Sequence, residues 1–130
     1  MALGIEFYCN KCNFSITAWD DGNPYIIYPI RKRNYFYHPS GIDSFIEKLK
    51  SKNLSEKEIN NILENGVYGN APDHICLECG KIYKIDPEVD KIECKKCKSK
   101  NIIDLVKLKG KKCPFCGGKF IEDKDNISIS

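Results

Sequence analysis

The chain has 130 residues, a formal net charge of +3 from 21 Lys and Arg against 18 Asp and Glu, and a hydrophobic content of 42% that includes eight cysteines. A chain of this length makes one ordinary domain or two small lobes, and cysteines gathered around metal leave it only a modest apolar core. No run of about 18 apolar residues occurs, which argues against a transmembrane helix, and the amino terminus lacks a basic region followed by an apolar run, so a cytoplasmic location is expected.

A reducing compartment favours metal ligation over disulfides, and so does the cysteine spacing, because all eight fall in Cys-x-x-Cys pairs. Each such turn aims two sulfurs at one point, and two turns supply the four that a tetrahedral zinc ion takes. Eight sulfurs imply two tetrathiolate centres, with zinc the metal best suited to all-sulfur tetrahedra. The charge of +3 counts every thiol as neutral; two zinc ions and the loss of eight thiol protons bring it to −1. Overall charge therefore selects no partner.

In chain order, residues 2–8 alternate and read as a strand entering the first knuckle, Cys9-Asn10-Lys11-Cys12-Asn13. Asn13 stands where such turns often carry glycine, and asparagine tolerates the left-handed backbone that glycine supplies. Residues 14–19 and 25–30 are rich in aromatic and β-branched side chains and flank the turn formers Asp20-Asp21-Gly22-Asn23-Pro24, which predicts a β-hairpin. Arg31, Lys32 and Arg33 then lead into Tyr35, Phe36, Tyr37 and His38. Cations beside rings suit single-stranded nucleic acid, although rings also fill small cores and three basic residues in a row commonly mark an exposed loop. His38 has no identifiable partner and reads as a surface or loop histidine.

From Ile42 the period changes. Ile42, Phe45, Ile46 and Leu49 fall at helical spacing, as do Ile59, Ile62, Leu63 and, at the far end, Val67. The second helix opens with Ser55-Glu56-Lys57-Glu58, a capping-box pattern, and Asn65-Gly66 supplies its stop. An apolar stripe usually faces its own core, so this helical hairpin is expected to cover a face of the β-rich knuckles in preference to forming a partner groove. Residues 66–73 read as a loop.

The second knuckle, Cys76-Leu77-Glu78-Cys79-Gly80, is followed by a predicted hairpin running to the third, Cys94-Lys95-Lys96-Cys97. His74 adjoins this region, but no cysteine is missing that it would have to replace. A strand over 102–108 leads to the fourth knuckle, Cys113-Pro114-Phe115-Cys116-Gly117. From Glu122 the tail is polar and is expected to fray. The divisions that follow are 1–40, an N-terminal knuckle and hairpin; 41–73, a helical insert; 74–121, the main metal-binding region; and 122–130, a flexible tail, all in one compact unit.

Cys-x-x-Cys-Gly, a hairpin and a second Cys-x-x-Cys over residues 74–121 resemble the zinc-ribbon families. The resemblance implies a small metal-bound α+β fold, in which zinc-ribbon β-hairpins carry a helical-hairpin insert. Cys76 and Cys79 lie 14 residues from Cys94 and Cys97, which in turn lie 15 from Cys113 and Cys116, so either pairing fits. The better-formed hairpin between Gly80 and Glu93 leans towards the first, which leaves Cys9 and Cys12 with Cys113 and Cys116 and joins the chain ends. The second and fourth knuckles also resemble the two iron-binding loops of rubredoxins, which implies iron at one site and electron transfer; the further cysteine pairs of this chain depart from that pattern. Four knuckles around a helical insert resemble, finally, small uncharacterised bacterial zinc-ribbon proteins, a likeness that brings no activity with it.

Closed four-thiolate sites leave no open coordination position, and no nucleophile motif, phosphate-cradling glycine loop or paired-carboxylate signature occurs. The expected function is a binding module with two structural zinc sites and a protein or nucleic-acid partner, and neither an enzyme nor a protein with a small-molecule substrate. A dithiol redox role would need a thioredoxin-like βαβ setting, which is absent. For nucleic acid the best local cue is residues 91–112, where nine lysines face only Glu93 and Asp104. Lys95, Lys96, Lys98 and Lys100 crowd the third knuckle and can either balance thiolate charge or meet phosphate.

Overall fold

The computed structural model describes residues 3–36 and 41–129, so His38 lies outside the described residues. The chain divides into two compact units, one of residues 1–22 with 71–130 and one of residues 23–70. The second begins well before the helices of the expected 41–73 insert, because strands on both sides of them close on one another.

In the first unit, β1 (Leu3–Cys9) is the centre of an antiparallel sheet with β2 (Ser15–Trp19) on one side and β9 (Phe120–Ile129) on the other. The first knuckle is the turn of the β1–β2 hairpin, with Tyr8 opposite Ser15 and Gly4 opposite Trp19. Residues 15–19 therefore pair backwards across the metal turn, where the sequence predicts a forward hairpin with residues 25–30. A Cys-x-x-Cys turn reverses the chain as tightly as a glycine turn does, and β1 offers the nearer complementary edge. On its other edge β1 carries the expected frayed tail: Cys9 faces Phe120, Tyr8 faces Ile121 and Leu3 faces Ile129, with an irregular register between Gly4 and Glu6. Ladder hydrogen bonds need only backbone groups, so a polar strand can occupy a free sheet edge.

A second sheet in this unit places β6 (Asp73–Cys76) between β7 (Ile82–Lys84) and β8 (Ile102–Asp104). Here too the knuckle is the hairpin turn, with Ile75 opposite Ile82, and no strand pairing joins Gly80 to Glu93. The strand expected over 102–108 stops at Asp104, whose carboxylate accepts from the Val106 amide and opens a 3₁₀ turn at Leu105–Lys107. That turn drives Leu105 and Leu108 inward. They join Phe7, Ala18, Ile75 and Phe120 with the sulfurs of Cys9 and Cys113 in one buried core.

The second unit holds β3 (Pro24–Ile27) between β4 (Arg33–Tyr35) and β5 (Val67–Asn70), with helices α1 (Ile42–Ser51) and α2 (Glu56–Asn65). Part of the segment read as a loop over 66–73 is thus β5, with exposed Val67 opposite Ile27 in the ladder and outside the helix. Phe45, Leu49 and Ile59 from the helices bury against Ile26 of β3, so the apolar stripes face this unit's own core and not, as the sequence predicts, the β-rich knuckles. The capping box forms as the spacing predicts: the Glu58 amide donates to Ser55 Oγ at 3.1 Å and the Ser55 amide to Glu58 Oε1 at 3.4 Å. Gly66 ends α2 for a reason other than left-handed geometry. Its φ is −70°, and a Cβ there would stand 2.4 Å from Ile26 Cδ1 and 2.8 Å from the Ile62 carbonyl oxygen.

Candidate metal centres

All eight cysteines are free, and they gather into two groups of four. Cys9, Cys12, Cys113 and Cys116 form one, and Cys76, Cys79, Cys94 and Cys97 the other, with the four sulfurs of each group within 4.8 Å of one another. Of the pairings that spacing leaves open, the structure forms the one that unites the chain ends through β1 and β9. Cys76 and Cys79 do not share a group with Cys113 and Cys116, as the rubredoxin resemblance would need; their sulfurs end separate hairpins.

Backbone hydrogen bonding builds each knuckle. In all four, the first cysteine's amide donates to the carbonyl five residues on: Cys9 to Phe14, Cys76 to Lys81, Cys94 to Ser99 and Cys113 to Gly118. In three, the residue after the second cysteine donates back to the first cysteine's carbonyl, at Gly80, Lys98 and Gly117. Those three residues have positive φ, of 83°, 63° and 79°. Asn13 makes no such bond and stays out of the left-handed region, so the first knuckle is the looser turn.

Paired knuckles are stitched together. The Asn10 amide donates to the Lys119 carbonyl, and the Lys119 amide returns a 3.0 Å bond to Asn10 Oδ1, joining the first knuckle to the fourth. In the other group the Leu77 amide donates to the Asn101 carbonyl, and Asn101 Nδ2 to Glu78 Oε1.

The sulfurs fit a metal ion. A tetrahedral centre with metal–thiolate bonds of about 2.3 Å has sulfur–sulfur edges of about 3.8 Å. Cys9 to Cys116 is 3.3 Å and Cys12 to Cys113 is 3.8 Å, while Cys76 to Cys97 and Cys79 to Cys94 are both 3.6 Å. Amides aim at the sulfurs as well: Lys11 at Cys9, Cys97 at Cys94 and Gly118 at Cys116, each at 3.4 Å. Such donors stabilise thiolate over thiol.

Protonation in the metal-free chain shows what the sulfurs lack. Burial pushes the Cys9 thiol up, yet the Lys11 and Cys12 amides and the neighbouring thiols outweigh it and bring it down to about 6. For Cys94, burial is likewise outweighed, here by the Tyr83 hydroxyl and the Cys97 and Lys96 amides, again to about 6. Their neighbours move the other way. The Phe14 amide pulls Cys12 down and the Ser99 amide pulls Cys97 down, but burial and three adjacent sulfurs drive both up to about 12. Four thiolates cannot coexist at this spacing without a cation between them, and a divalent metal is the cation that fits.

Tyr83, which the sequence reading passed over, supports the second group. Its hydroxyl lies 3.2 Å from Cys94 Sγ and accepts from the Lys96 amide at 3.3 Å. The Cys94 sulfur beside it raises the phenol above its ordinary value, so it remains a donor to the thiolate. Its only sequence signal is a tyrosine four residues beyond Cys79, on the strand returning from the knuckle. His74 is buried in β6 with Nδ1 2.8 Å from the Pro72 carbonyl oxygen, an acceptor that fixes the proton on that nitrogen.

The basic candidates fall into both units. Lys95, Lys96, Lys98 and Lys100 are all exposed beside the second group. Arg31 and Lys32 are exposed in the turn before β4, with Arg31 at φ 66°. Arg33 is half-buried with its guanidinium 4.5 Å from the Tyr25 ring centroid. Of the rings that follow, Tyr35 packs on Tyr25 and Phe36 on Phe45 and Tyr68, which takes these two from a stacking surface, and Tyr37 lies outside the described residues.

Comparison of the chain with protein-family models, with curated proteins and with solved structures finds no match. Among the described residues, no helix is long and apolar enough to cross a membrane.

Proposed function

We propose that the protein is a zinc-stapled binding module, in which two structural zinc ions, each held by four cysteines in the manner of the zinc ribbons, support a surface that docks a protein or nucleic acid. The observation that carries this reading is the closed all-sulfur quartet, present twice. Four thiolates fill the coordination sphere of a tetrahedral ion, so no water is left to activate and no substrate position remains. The ions instead supply folding free energy, in the range of about 10 to 16 kcal/mol for finger peptides. A core as small as that of the first unit, with two cysteine sulfurs among its members, is one that such ions would complete.

Elemental analysis with a visible absorption spectrum tests the reading. Colourless protein with two zinc ions per chain, losing its fold on chelation, is the expected result. A red protein containing iron would support electron transfer instead, and a chain that stays folded without metal would remove the structural role.

A further inference from the structure

The second metal centre carries more positive charge than a metal centre needs. Four exposed lysines, Lys95, Lys96, Lys98 and Lys100, surround Cys94 and Cys97, and their ammonium groups outnumber the two negative charges of a loaded zinc tetrathiolate. The first centre is flanked in the same way by exposed Lys11, Lys111, Lys112 and Lys119, so at each centre the lysines outnumber the charge they would balance.

The nearest carboxylate is already engaged. Glu93 is ion-paired with Lys91 at 2.6 Å.

Lys98 adds an independent observation. It occupies the left-handed position of its knuckle at φ 63°, where Gly80 and Gly117 stand at 83° and 79° in the corresponding turns. A side chain there costs about 1 kcal/mol that glycine avoids. Strain of this kind points to a role for the side chain itself.

We propose that this lysine-rich third knuckle binds the phosphodiester backbone of nucleic acid without regard to base sequence. The proposal rests on the zinc-stapled reading and names its partner. Lysine ammonium groups are point charges suited to phosphate, and the segment has neither an arginine fork nor an amide side chain to read base edges until Asn101, which is bonded to Glu78. Residues 95–100 themselves carry no apolar or aromatic anchor of the kind protein hot spots use, and the nearest exposed ones, Ile92 and Phe115, lie outside the lysine run. Lys107, Lys109, Lys111 and Lys112, exposed on the same unit, begin seven residues beyond Lys100, no more than about 25 Å along the chain. An extended polyanion can cover both clusters, which a short acidic peptide cannot.

The test titrates metal-loaded full-length protein with labelled mixed-sequence 20-mers of RNA and DNA, single-stranded and duplex, followed by fluorescence anisotropy at several salt concentrations. Polyglutamate of matched charge serves as the competing polyanion. Four phosphate contacts give log affinity a slope of about −3 against log salt, and each lysine removed lowers its steepness by about 0.7 to 1. Lys98→Gly is the most informative variant. It should weaken binding and flatten the slope while keeping both zinc ions and raising resistance to unfolding, which separates loss of contact from loss of fold. Replacing all four lysines should lower affinity at least about tenfold at 50 mM salt. Absence of binding at 50 mM salt by protein with two zinc ions would overturn the proposal, as would equal competition by polyglutamate or an unchanged slope in the four-lysine variant. Lysine-dependent binding by protein lacking zinc would instead uphold the nucleic-acid face and sink the structural-metal reading. Comparison of the RNA and DNA arms tells which polymer is preferred.

Discussion

The ring of Phe115 lies across Gly80, so closely that a Cβ on the glycine would stand 2.5 Å from Cε1 and from Cζ of the ring. Phe115 sits between Cys113 and Cys116 of one sulfur group, and Gly80 follows Cys79 of the other. The same ring packs on Phe14 at 4.8 Å, and Phe14 packs edge-on against Phe120 at 5.9 Å. One knuckle therefore leans on another across the two centres, and loosening either should be felt by both.

Gly80→Ala tests this directly. It puts a side chain at φ 83° and into the phenyl ring, and the expected destabilisation is about 1–3 kcal/mol, read from chemical denaturation of zinc-loaded protein. Phe115→Ala removes the obstacle. If the ring is the obstacle, the double variant is more stable than the sum of the single effects predicts, by about 0.5 kcal/mol or more; strict additivity would show that Gly80 answers only to its own backbone angle.

Tyr83→Phe removes the hydroxyl that donates to Cys94 Sγ and accepts from the Lys96 amide. Partners of metal ligands commonly alter metal affinity by about 10- to 100-fold when lost. The substitution should speed transfer of one zinc ion to a competing chelator and leave the other slow. Unchanged transfer of both ions would mean that the hydroxyl contributes only packing.

Zinc affinity should rise with pH between about 6 and 9, with proton release on binding. Cys12 and Cys97, held up at about 12, must release their protons to the buffer when the metal binds throughout that window. Cys9 and Cys94, lowered to about 6, stabilise the metal-free fold most fully above the ordinary thiol value of 9.0, and that contribution is lost as pH falls through about 6. The raised pair acts oppositely: its contribution to the metal-free fold is complete below 9.0 and is lost as pH rises towards about 12. Calorimetry in buffers of different ionisation enthalpy counts the released protons. Zinc affinity independent of pH across the window would contradict this scheme.

In the second unit, Ser55→Ala opens the capping box and should cost about 1 kcal/mol. Gly66→Ala should cost more, because the added methyl meets both Ile26 Cδ1 and the Ile62 carbonyl. Loss of helical circular dichroism with denaturant ranks the two. A larger effect from Ser55→Ala would mean that Ile26 moves aside easily.

Features set within a few residues were legible in the chain. The knuckles are local reversals, and Ser55 with Glu58 is a local exchange of hydrogen bonds, so spacing alone indicated them. The two helical stripes were equally plain, since Phe45, Leu49 and Ile59 recur at helical intervals and bury. The strand partners were not. Residues 15–19 are as well suited to residues 25–27 as to β1, and choosing between the two depends on which edge is closer once the Cys9–Cys12 turn has formed. The polar residues after Glu122 gave no sign of β9, because a ladder is held by backbone groups that every sequence possesses.

The sequence by itself determined that eight sulfurs in four tight turns can make two four-cysteine groups able to hold metal ions, since two-residue spacing constrains each turn whatever surrounds it. Only the tertiary structure decided which turns meet. Linkers of 14 and 15 residues are nearly equal, and the choice fell to β1 pairing with β9 and β6 with β8, which bring Cys9 to Cys116 and Cys76 to Cys97. Chain spacing limits how far a turn can reach, whereas burial of Phe7, Ile75, Leu108 and Phe120 in one core selects the partner it finds.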